Sequence, residues 1–352
     1  MDITDYLLEE YRIIKKYIDA GDLPGASFSF VTRDEIAFSH YGNKSLIPEK
    51  TEIADDTLYD LASLSKVVST STMVAKLIEE GLIDFDTKVS SIINRFRYDD
   101  VTIRNLIVHT SGLPADDKNY KKCKTPEELW EFTLNVDKTY ETNSKVEYSC
   151  FNYIILGKII EHFKGNMEEY ANEVLFNKLG TGNIMYNPGK KGRKEDCAPT
   201  EVTDIRGVIQ GDVHDGKAYI LGGVAGNAGV FADIESVSRF AQMMLNNGMN
   251  EDNIILNKET TNLFKQSYTE GLNESRTMGG WYFGDPNTSA GNKISKCSLY
   301  HTGFSGTSVY IDYERKCAIA LLTNAIHPSR ETKIKEIRPA FYNDLLEYID
   351  NH

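Results

Sequence analysis

Apolar positions change their period repeatedly along the chain, and each change marks an element. The opening stretch "MDITDYLLEEYRIIKKYIDAG" repeats apolar side chains at helical spacing, which predicts an amphipathic first helix. "PGASFSFVTRDEIAFSHYG", Pro24 to Gly42, alternates instead and reads as two strands joined by a turn at Thr32 to Glu35. Helical spacing returns in "YDLASLSKVVSTSTMVAKLIEEG", where Met73, Val74, Leu77 and Ile78 share a face and Gly81 ends the helix. "DFDTKVSSIINRF" and "VTIRNLIVHTSGLP" predict short helices, while "TPEELWEFTLN" and "FNYIILGKIIEHFKGNMEEYANEVLFNKLG" are strongly helical. Residues 181–220 are rich in Gly, Asn, Lys and Asp without periodicity, and predict a long irregular segment. A helix capped by Asp233 follows in "DIESVSRFAQMMLNNG". The last third turns to strands, "GGWYFG" and "SLYHTGFSGTSVYIDYERKCAIALLTNA", before a terminal helix, "TKIKEIRPAFYNDLLEYIDN". Its hairpin, "TSVYIDY" against "CAIALLTN", is the clearest in the chain.

This order predicts an α/β (α+β) fold in which both ends of the chain contribute to one antiparallel sheet flanked by helices. Residues 1–62 and 221–352 are expected to form a discontinuous sheet-and-helix domain, and 63–220 an inserted, mostly helical one. The length of 352 residues with 41% hydrophobic content suffices for a sizeable core. A net charge of -13, from 39 Lys and Arg against 52 Asp and Glu, argues against nucleic acid or an anionic membrane surface as partner. Five widely spaced cysteines with no C-x-x-C pair suggest a reducing compartment and no zinc site. The acidic, amphipathic start lacks the features of a signal peptide, and no apolar run is long enough to span a membrane, so a cytoplasmic location is expected and the oligomeric state is open.

Three stretches carry candidate chemistry. Ser63 and Lys66 stand one helical turn apart, so an amine could take up the hydroxyl proton of a serine nucleophile, and burial would lower the proton affinity of that amine. The start of the helix offers backbone N–H groups to a developing oxyanion. Taken alone, S-x-x-K is also what a capped helix looks like. Tyr148-Ser149-Cys150 lies just ahead of an apolar helix and could present a phenol to Ser63 as a general base. His301-Thr302-Gly303 opens a strand, with a cation or donor at 301, a hydroxyl at 302, and a glycine at 303 that would let a substrate lie along the strand edge. The backbone N–H of Phe304 would then face that of Ser63 as a second oxyanion donor.

Together, Ser63-Leu64-Ser65-Lys66, Tyr148-Ser149-Cys150 and His301-Thr302-Gly303 resemble, in order and approximate spacing, the S-x-x-K, Y-x-N and K-T-G elements of serine β-lactamases and penicillin-binding proteins. The resemblance runs from about residue 20 to 345 and is to the branch of class C β-lactamases, D-alanyl-D-alanine carboxypeptidases and related esterases, in which His replaces Lys in the third element. It implies a β-lactamase-like sheet, Ser63 as the acylated nucleophile, Lys66 and Tyr148 sharing the proton transfers, and His301 in the pocket wall. Cys150, Thr302, Gly303 and Phe304 would contact the substrate, a small ester, amide or β-lactam, without metal or cofactor. Cys150 departs from the family pattern, because it stands where many relatives carry an Asn and a thiol is at best a weak donor.

Several other signals read as structural. "GFSGTS" is not a nucleophile elbow, since no helix follows Ser305. "GGVAGNAGVF" lacks the Lys of a phosphate loop, and its glycines suit a tight path beside the site. His214 and Asp215 lack a second histidine at ligand spacing, and His109 reads as a turn residue. The expectation is a serine acyl hydrolase whose pocket is shaped by the segments 181–220 and 271–298. The alternative is a binding or sensing module with the same fold and little turnover.

Overall fold

The computed structural model describes residues 2–251 and 253–352. Helix α1 (Ile3–Asp19) starts at Asp2, whose carboxylate accepts the Thr4 N–H. Strands β1 (Gly25–Val31) and β2 (Ile36–Ser45) form the predicted hairpin, closed by the Thr32 N–H donating to the Glu35 carbonyl at 2.9 Å. Short strands β3 (Thr51–Glu52) and β4 (Tyr59–Asp60) lead to a helical segment that ends in α2 (Ser71–Glu79). Helix α3 (Cys150–Lys164), strands β5 (Ile184–Tyr186) and β6 (Val230–Ala232) and helix α4 (Ile234–Leu245) follow. The chain closes with β7 (Tyr282–Phe283), β8 (Ser298–Thr302), β9 (Ser308–Asp312), β10 (Cys317–Leu322) and helix α5 (Ile334–Asn351).

Seven strands make one antiparallel sheet in the order β7-β8-β9-β10-β1-β2-β3, so the two ends of the chain meet where Ser27 faces Leu322. Alternation decides which helices cover which face. Ala26, Phe28 and Phe30 of β1, with Ile319 and Leu321 of β10, pack in one core with Ile13 and Ile14 of α1 and Phe341, Leu345 and Leu346 of α5. The opposite face offers Ala318, Ala320 and Leu322 to a second core that includes Val237, Phe240 and Ala241 of α4. Small side chains there let α4 approach closely enough for the Ser238 hydroxyl to donate to Ser29 at 2.7 Å. Asp233 caps α4 as expected, accepting the Ser236 N–H at 2.8 Å.

Two features differ from the periodic reading. Part of the segment expected to be irregular forms β5, which pairs with β6, while β6 also pairs with β4. A three-residue strand is too short to show alternation, and pairing rather than periodicity defines it. The helix after Ser63 opens with a π turn, Lys66–Thr70, in which the Ser71 N–H reaches back five residues to the Lys66 carbonyl. Hydroxyls on that turn bond outward: Thr70 donates to the Gly226 carbonyl at 2.7 Å, and Ser69 and Ser71 pair with the hydroxyls of Tyr186 and Tyr153. These lateral bonds hold the wider turn, a distortion that often accompanies functional sites. Among the described residues, no helix is long and apolar enough to cross a membrane.

Glu10 of α1 is fully buried beneath the sheet near Cys317 and Tyr342, and neither of its carboxyl oxygens is hydrogen-bonded. Burial pushes its carboxyl well above the usual carboxylate range, so folding favours the protonated form. The folded state then binds this proton more tightly than the unfolded chain, and stability falls as pH rises above the ordinary glutamate range of about 4.3. Glu10→Leu is expected to stabilise the protein by about 1–3 kcal/mol at pH 8 and by less at pH 4.5. Calorimetric melts at both pH values check this, and an equal gain at both would contradict it.

Candidate active site

The turn that presents Ser63 is held from three sides. The Asp60 carboxylate accepts the Ala62 N–H at 2.8 Å and the His214 N–H at 2.7 Å, and the Leu61 N–H donates to the Val230 carbonyl at 2.9 Å. Ala62 adopts φ +47, a left-handed conformation that costs a non-glycine residue on the order of 1 kcal/mol. It is the residue immediately before Ser63, and this bend puts Ser63 at the mouth of the helix instead of inside it.

Lys66, on the π turn, is fully buried and donates from Nζ to Ser63 Oγ at 3.1 Å and to the Asn227 carbonyl at 2.8 Å. The second bond requires the glycine-rich loop to run against α3, where a Cβ on Gly226 would lie 1.9 Å from the Tyr153 carbonyl. That loop therefore takes the tight path expected of it. Burial alone would lower the proton affinity of Lys66, as the sequence predicts. The net shift is upward, because the charges of Cys150 and Tyr148, the Tyr148 hydroxyl and Asp215 outweigh burial. The direction is thus toward the ammonium form, opposite to the lowered proton affinity that burial alone would give.

Tyr148 faces the same space, with Lys66 Nζ 4.9 Å from its ring centre. Its hydroxyl is buried and makes no hydrogen bond of good geometry, while lying close enough to Lys66 and Ser63 to interact with both. Burial is the largest influence and leaves its proton affinity raised overall, with Lys66 and Ser63 pulling the other way. Cys150 begins α3 and is partly exposed.

His109 clamps this tyrosine from both sides. Its carbonyl accepts the Glu147 N–H at 2.9 Å and its Nδ1 accepts the Ser149 N–H at 3.1 Å, so both neighbours of Tyr148 are tied to one residue. Its ring lies tilted against that of Tyr148, with the centres 4.6 Å apart, and the residue adopts φ +61. Accepting at Nδ1 requires a neutral ring, and burial, with help from Arg276, Lys66 and His301, pushes the imidazole well below its usual range. His109 is a turn residue, as the sequence suggests, and a positioning residue as well.

His301 of β8 is buried and lines the cavity, but it is neither a cation nor a donor toward the substrate. Nδ1–H donates to the Thr302 carbonyl at 3.0 Å, leaving Nε2 as an unpartnered acceptor. Burial, then Arg276 and Lys66, holds the ring neutral. Arg276, which the sequence does not mark, is completely buried over the Tyr282 ring at 3.4 Å and bonded to Glu274, so its charge bears on both histidines.

Gly303 has a different reason than the one expected. A Cβ there would lie 2.2 Å from Thr307 Oγ1 and 2.3 Å from the Leu61 carbonyl, so the glycine admits the nucleophile turn more than the substrate. That contact brings Phe304 opposite Ser63, and among the described residues neither backbone N–H donates to a protein acceptor.

Ser63, Tyr148, His301, Thr302, Gly303 and Phe304 all border one cavity of about 810 Å3. Its far wall comes from Ile326 to Arg338 and its flank from Tyr282. Residues 181–220 do not border it, which corrects the expectation that they shape the pocket; the wall formed by the end of β10 and the start of α5 lacked a motif to announce it. Ser305 is structural, donating to the Asp60 carbonyl at 2.6 Å. His214 pairs with Glu201 at 2.8 Å, and Asp215 caps a short helix and accepts from Asn227 at 2.9 Å. No group of three or more His, Cys, Asp or Glu among the described residues could hold a metal ion.

The family model described as Beta-lactamase matches residues 11–341. An N-acetylmuramyl-L-alanine amidase of Bacillus subtilis (strain 168) is 30% identical, over 92% of this chain and 82% of its own length. A protein of Escherichia coli O157:H7 provisionally named a D-alanyl-D-alanine carboxypeptidase is 29% identical, over 90% and 81%. The fold matches unliganded simvastatin synthase of Aspergillus terreus with a TM-score of 0.77 at 17% identity, over 97% of this chain and 98% of that one.

Two expectations follow for whichever ester or amide is turned over. Lys66→Met is expected to lower kcat by about 10²–10⁴-fold and to move the acid limb of the pH profile upward, since Lys66 favours ionised Tyr148. Stopped assays from pH 6 to 10 check both; a limb that stays in place would remove Lys66 from the titration. His109→Ala is expected to cut kcat by about tenfold or more with KM little changed, and His109→Asn, which keeps an acceptor, to recover part of the loss. Equal losses in the two variants would leave His109 a purely structural role.

Proposed function

The chain belongs to the β-lactamase family and is a serine hydrolase, and on that premise we propose that it hydrolyses carboxylic esters through an acyl-enzyme on Ser63. The hydrogen bond from Lys66 Nζ to Ser63 Oγ, beside a buried Tyr148 hydroxyl that makes no hydrogen bond of good geometry, carries this reading. Lys66 as an ammonium favours the phenolate of Tyr148, which takes the Ser63 proton as Oγ adds to the ester carbonyl. The carbonyl oxygen becomes an oxyanion and accepts the N–H groups of Ser63 and Phe304. Collapse breaks the bond to the alcohol, which leaves with the proton from Tyr148. Water then adds to the acyl carbonyl as Tyr148 takes its proton, and the acyl–Oγ bond breaks to release the carboxylic acid while Tyr148 returns that proton to Ser63 Oγ. No metal or cofactor enters this cycle.

The thiol of Cys150, which stands at the start of α3 and outside the set of residues bordering the cavity, supports esters over amides. Where relatives place an amide side chain able to orient a substrate's acyl amide, this chain offers only a thiol. An ester without that amide does not need the missing donor. His301 supplies an uncharged wall, with Thr302 and Gly303 continuing it along the strand.

A panel of p-nitrophenyl esters, nitrocefin and D-alanyl amides tests the reading on wild type, Ser63→Ala and Cys150→Asn. Ester turnover that disappears in Ser63→Ala is expected, with little amide or β-lactam hydrolysis in wild type and a gain of about tenfold or more in Cys150→Asn. Ester hydrolysis that survives Ser63→Ala would overturn the mechanism. Labelling of Ser63 by a fluorophosphonate without turnover of any ester would turn the reading to a binding module.

A further inference from the structure

Phe304 borders the cavity with 54% of its surface exposed, an open position for a large apolar side chain. Hydrogen bonds fix the loop on either side of it. Arg338 Nη2 donates to the carbonyls of Gly303 and Thr307 at 2.7 and 3.0 Å, the Gly303 N–H donates to the Thr307 carbonyl at 2.7 Å, and the Ser305 hydroxyl donates to the Asp60 carbonyl. Phe304 itself makes no hydrogen bond to another described residue.

Its ring is held instead. The His214 imidazole stacks on it, with centres 5.5 Å apart and 16° between the planes, and the Arg330 guanidinium lies 5.4 Å from the ring centre. Both groups end on one atom, because His214 Nε2–H and Arg330 Nε–H each donate to Glu201 Oε2 at 2.8 Å. Burial would raise the proton affinity of Glu201, yet these two bonds hold its carboxyl below the usual carboxylate range. The backbone around Glu201 is braced in turn. The Val202 N–H donates to the Pro328 carbonyl, and His327 Nδ1–H to the Thr200 carbonyl, both at 2.8 Å.

We infer that Glu201 is a positioning residue for the chemistry at Ser63: it holds His214 and Arg330 against the Phe304 ring, and the ring fixes the direction in which the Phe304 N–H meets the substrate's developing oxyanion. An oxyanion donor lowers a barrier to the extent that it is aimed before the charge forms. With no hydrogen bond of its own, the peptide at Phe304 takes that aim from its side chain. The inference rests on the ester-hydrolase reading for the oxyanion, while the contacts around the ring are independent of it. It also gives the segment 181–220 a part in the site, since Glu201 and His214 act on the cavity through Phe304 without bordering it.

A double-variant cycle between Glu201 and Phe304 tests this, read by hydrolysis of p-nitrophenyl butyrate and by the rate at which an alkyl fluorophosphonate labels Ser63. Glu201→Gln is expected to lower kcat and the labelling rate by about tenfold with KM little changed, and Glu201→Ala by more, since Gln keeps an acceptor oxygen. Phe304→Leu keeps the N–H and drops the ring, so its loss is expected to be at least as large, and adding Glu201→Gln to it to cost nothing further. Arg330→Gln, whose side chain is mostly exposed and no burden on folding, is expected to show a smaller loss that also disappears in Phe304→Leu. Losses that multiply in the double variant, or wild-type rates in Glu201→Gln or Phe304→Leu, would overturn the inference. Labelling that follows the expected cycle while wild type turns over no ester sinks the hydrolase reading alone; ester turnover that is equal in wild type and Glu201→Gln sinks this one alone.

Discussion

The site depends on one buried carboxylate. Asp60 accepts backbone N–H groups from Ala62 and His214, while its own carbonyl accepts the Ser305 hydroxyl and the next carbonyl, that of Leu61, accepts from Thr307. Two consecutive residues therefore tie together the nucleophile turn, the loop at 214 and the loop after β8. Burial raises the proton affinity of Asp60 even though both N–H donors and His214 work to lower it. A carboxylate desolvated in this way is stable only while those donors stay in place, so the tie is all-or-none. The left-handed Ala62 is held in its costly conformation by the same bonds. The same tie brings Ser63 and Phe304 to the border of one cavity.

Around that mouth the charges are arranged with little redundancy. One amine, that of Lys66, bonds Ser63 and the Asn227 carbonyl, and acts on a phenol that makes no hydrogen bond of good geometry. Two imidazoles that would titrate near neutrality in water are both kept uncharged, by burial first and by the cations Arg276 and Lys66 second. With both histidines uncharged, the groups beside Ser63 that bear on the proposed proton transfers are Lys66 and Tyr148. A hydroxyl, an amine and a phenol packed so closely do not titrate independently, and the group shares its protons as a unit.

Much of this was legible in the sequence, for definable reasons. Alternation in "ASFSF" and "CAIALL" gave the sheet its two faces, and the serines and alanines in those runs mark the side where α4 lies. Ser63, Tyr148 and His301, which border one cavity, could be singled out because each stands in a short pattern that chemistry constrains. The proton affinity of Lys66 was misjudged because sequence spacing shows burial along a helix but not the groups that arrive from residues 148–150 and 215. Gly303 was correctly singled out for a wrong reason, since the atom it avoids belongs to Leu61, far away in the chain. Arg276, Arg330 and Arg338 were invisible: an arginine in a loop or on a charged helix looks solvated until the fold closes over it. β5 was missed because three residues hold no period.

The pairing of β1 with β10 has a bearing on how the molecule comes into being. Ser27 finds its neighbour Leu322 almost three hundred residues later, so the central ladder cannot close until nearly the whole chain has left the ribosome. Until then β1 and β2 are a hairpin with two unpaired edges, and Phe28 and Phe30 lack the α5 side chains that cover them. Phe304 and the anchor of Arg338 arrive in the same final segment. During synthesis Ser63 is thus present long before the wall opposite it, and the cavity is among the last parts of the molecule to be completed.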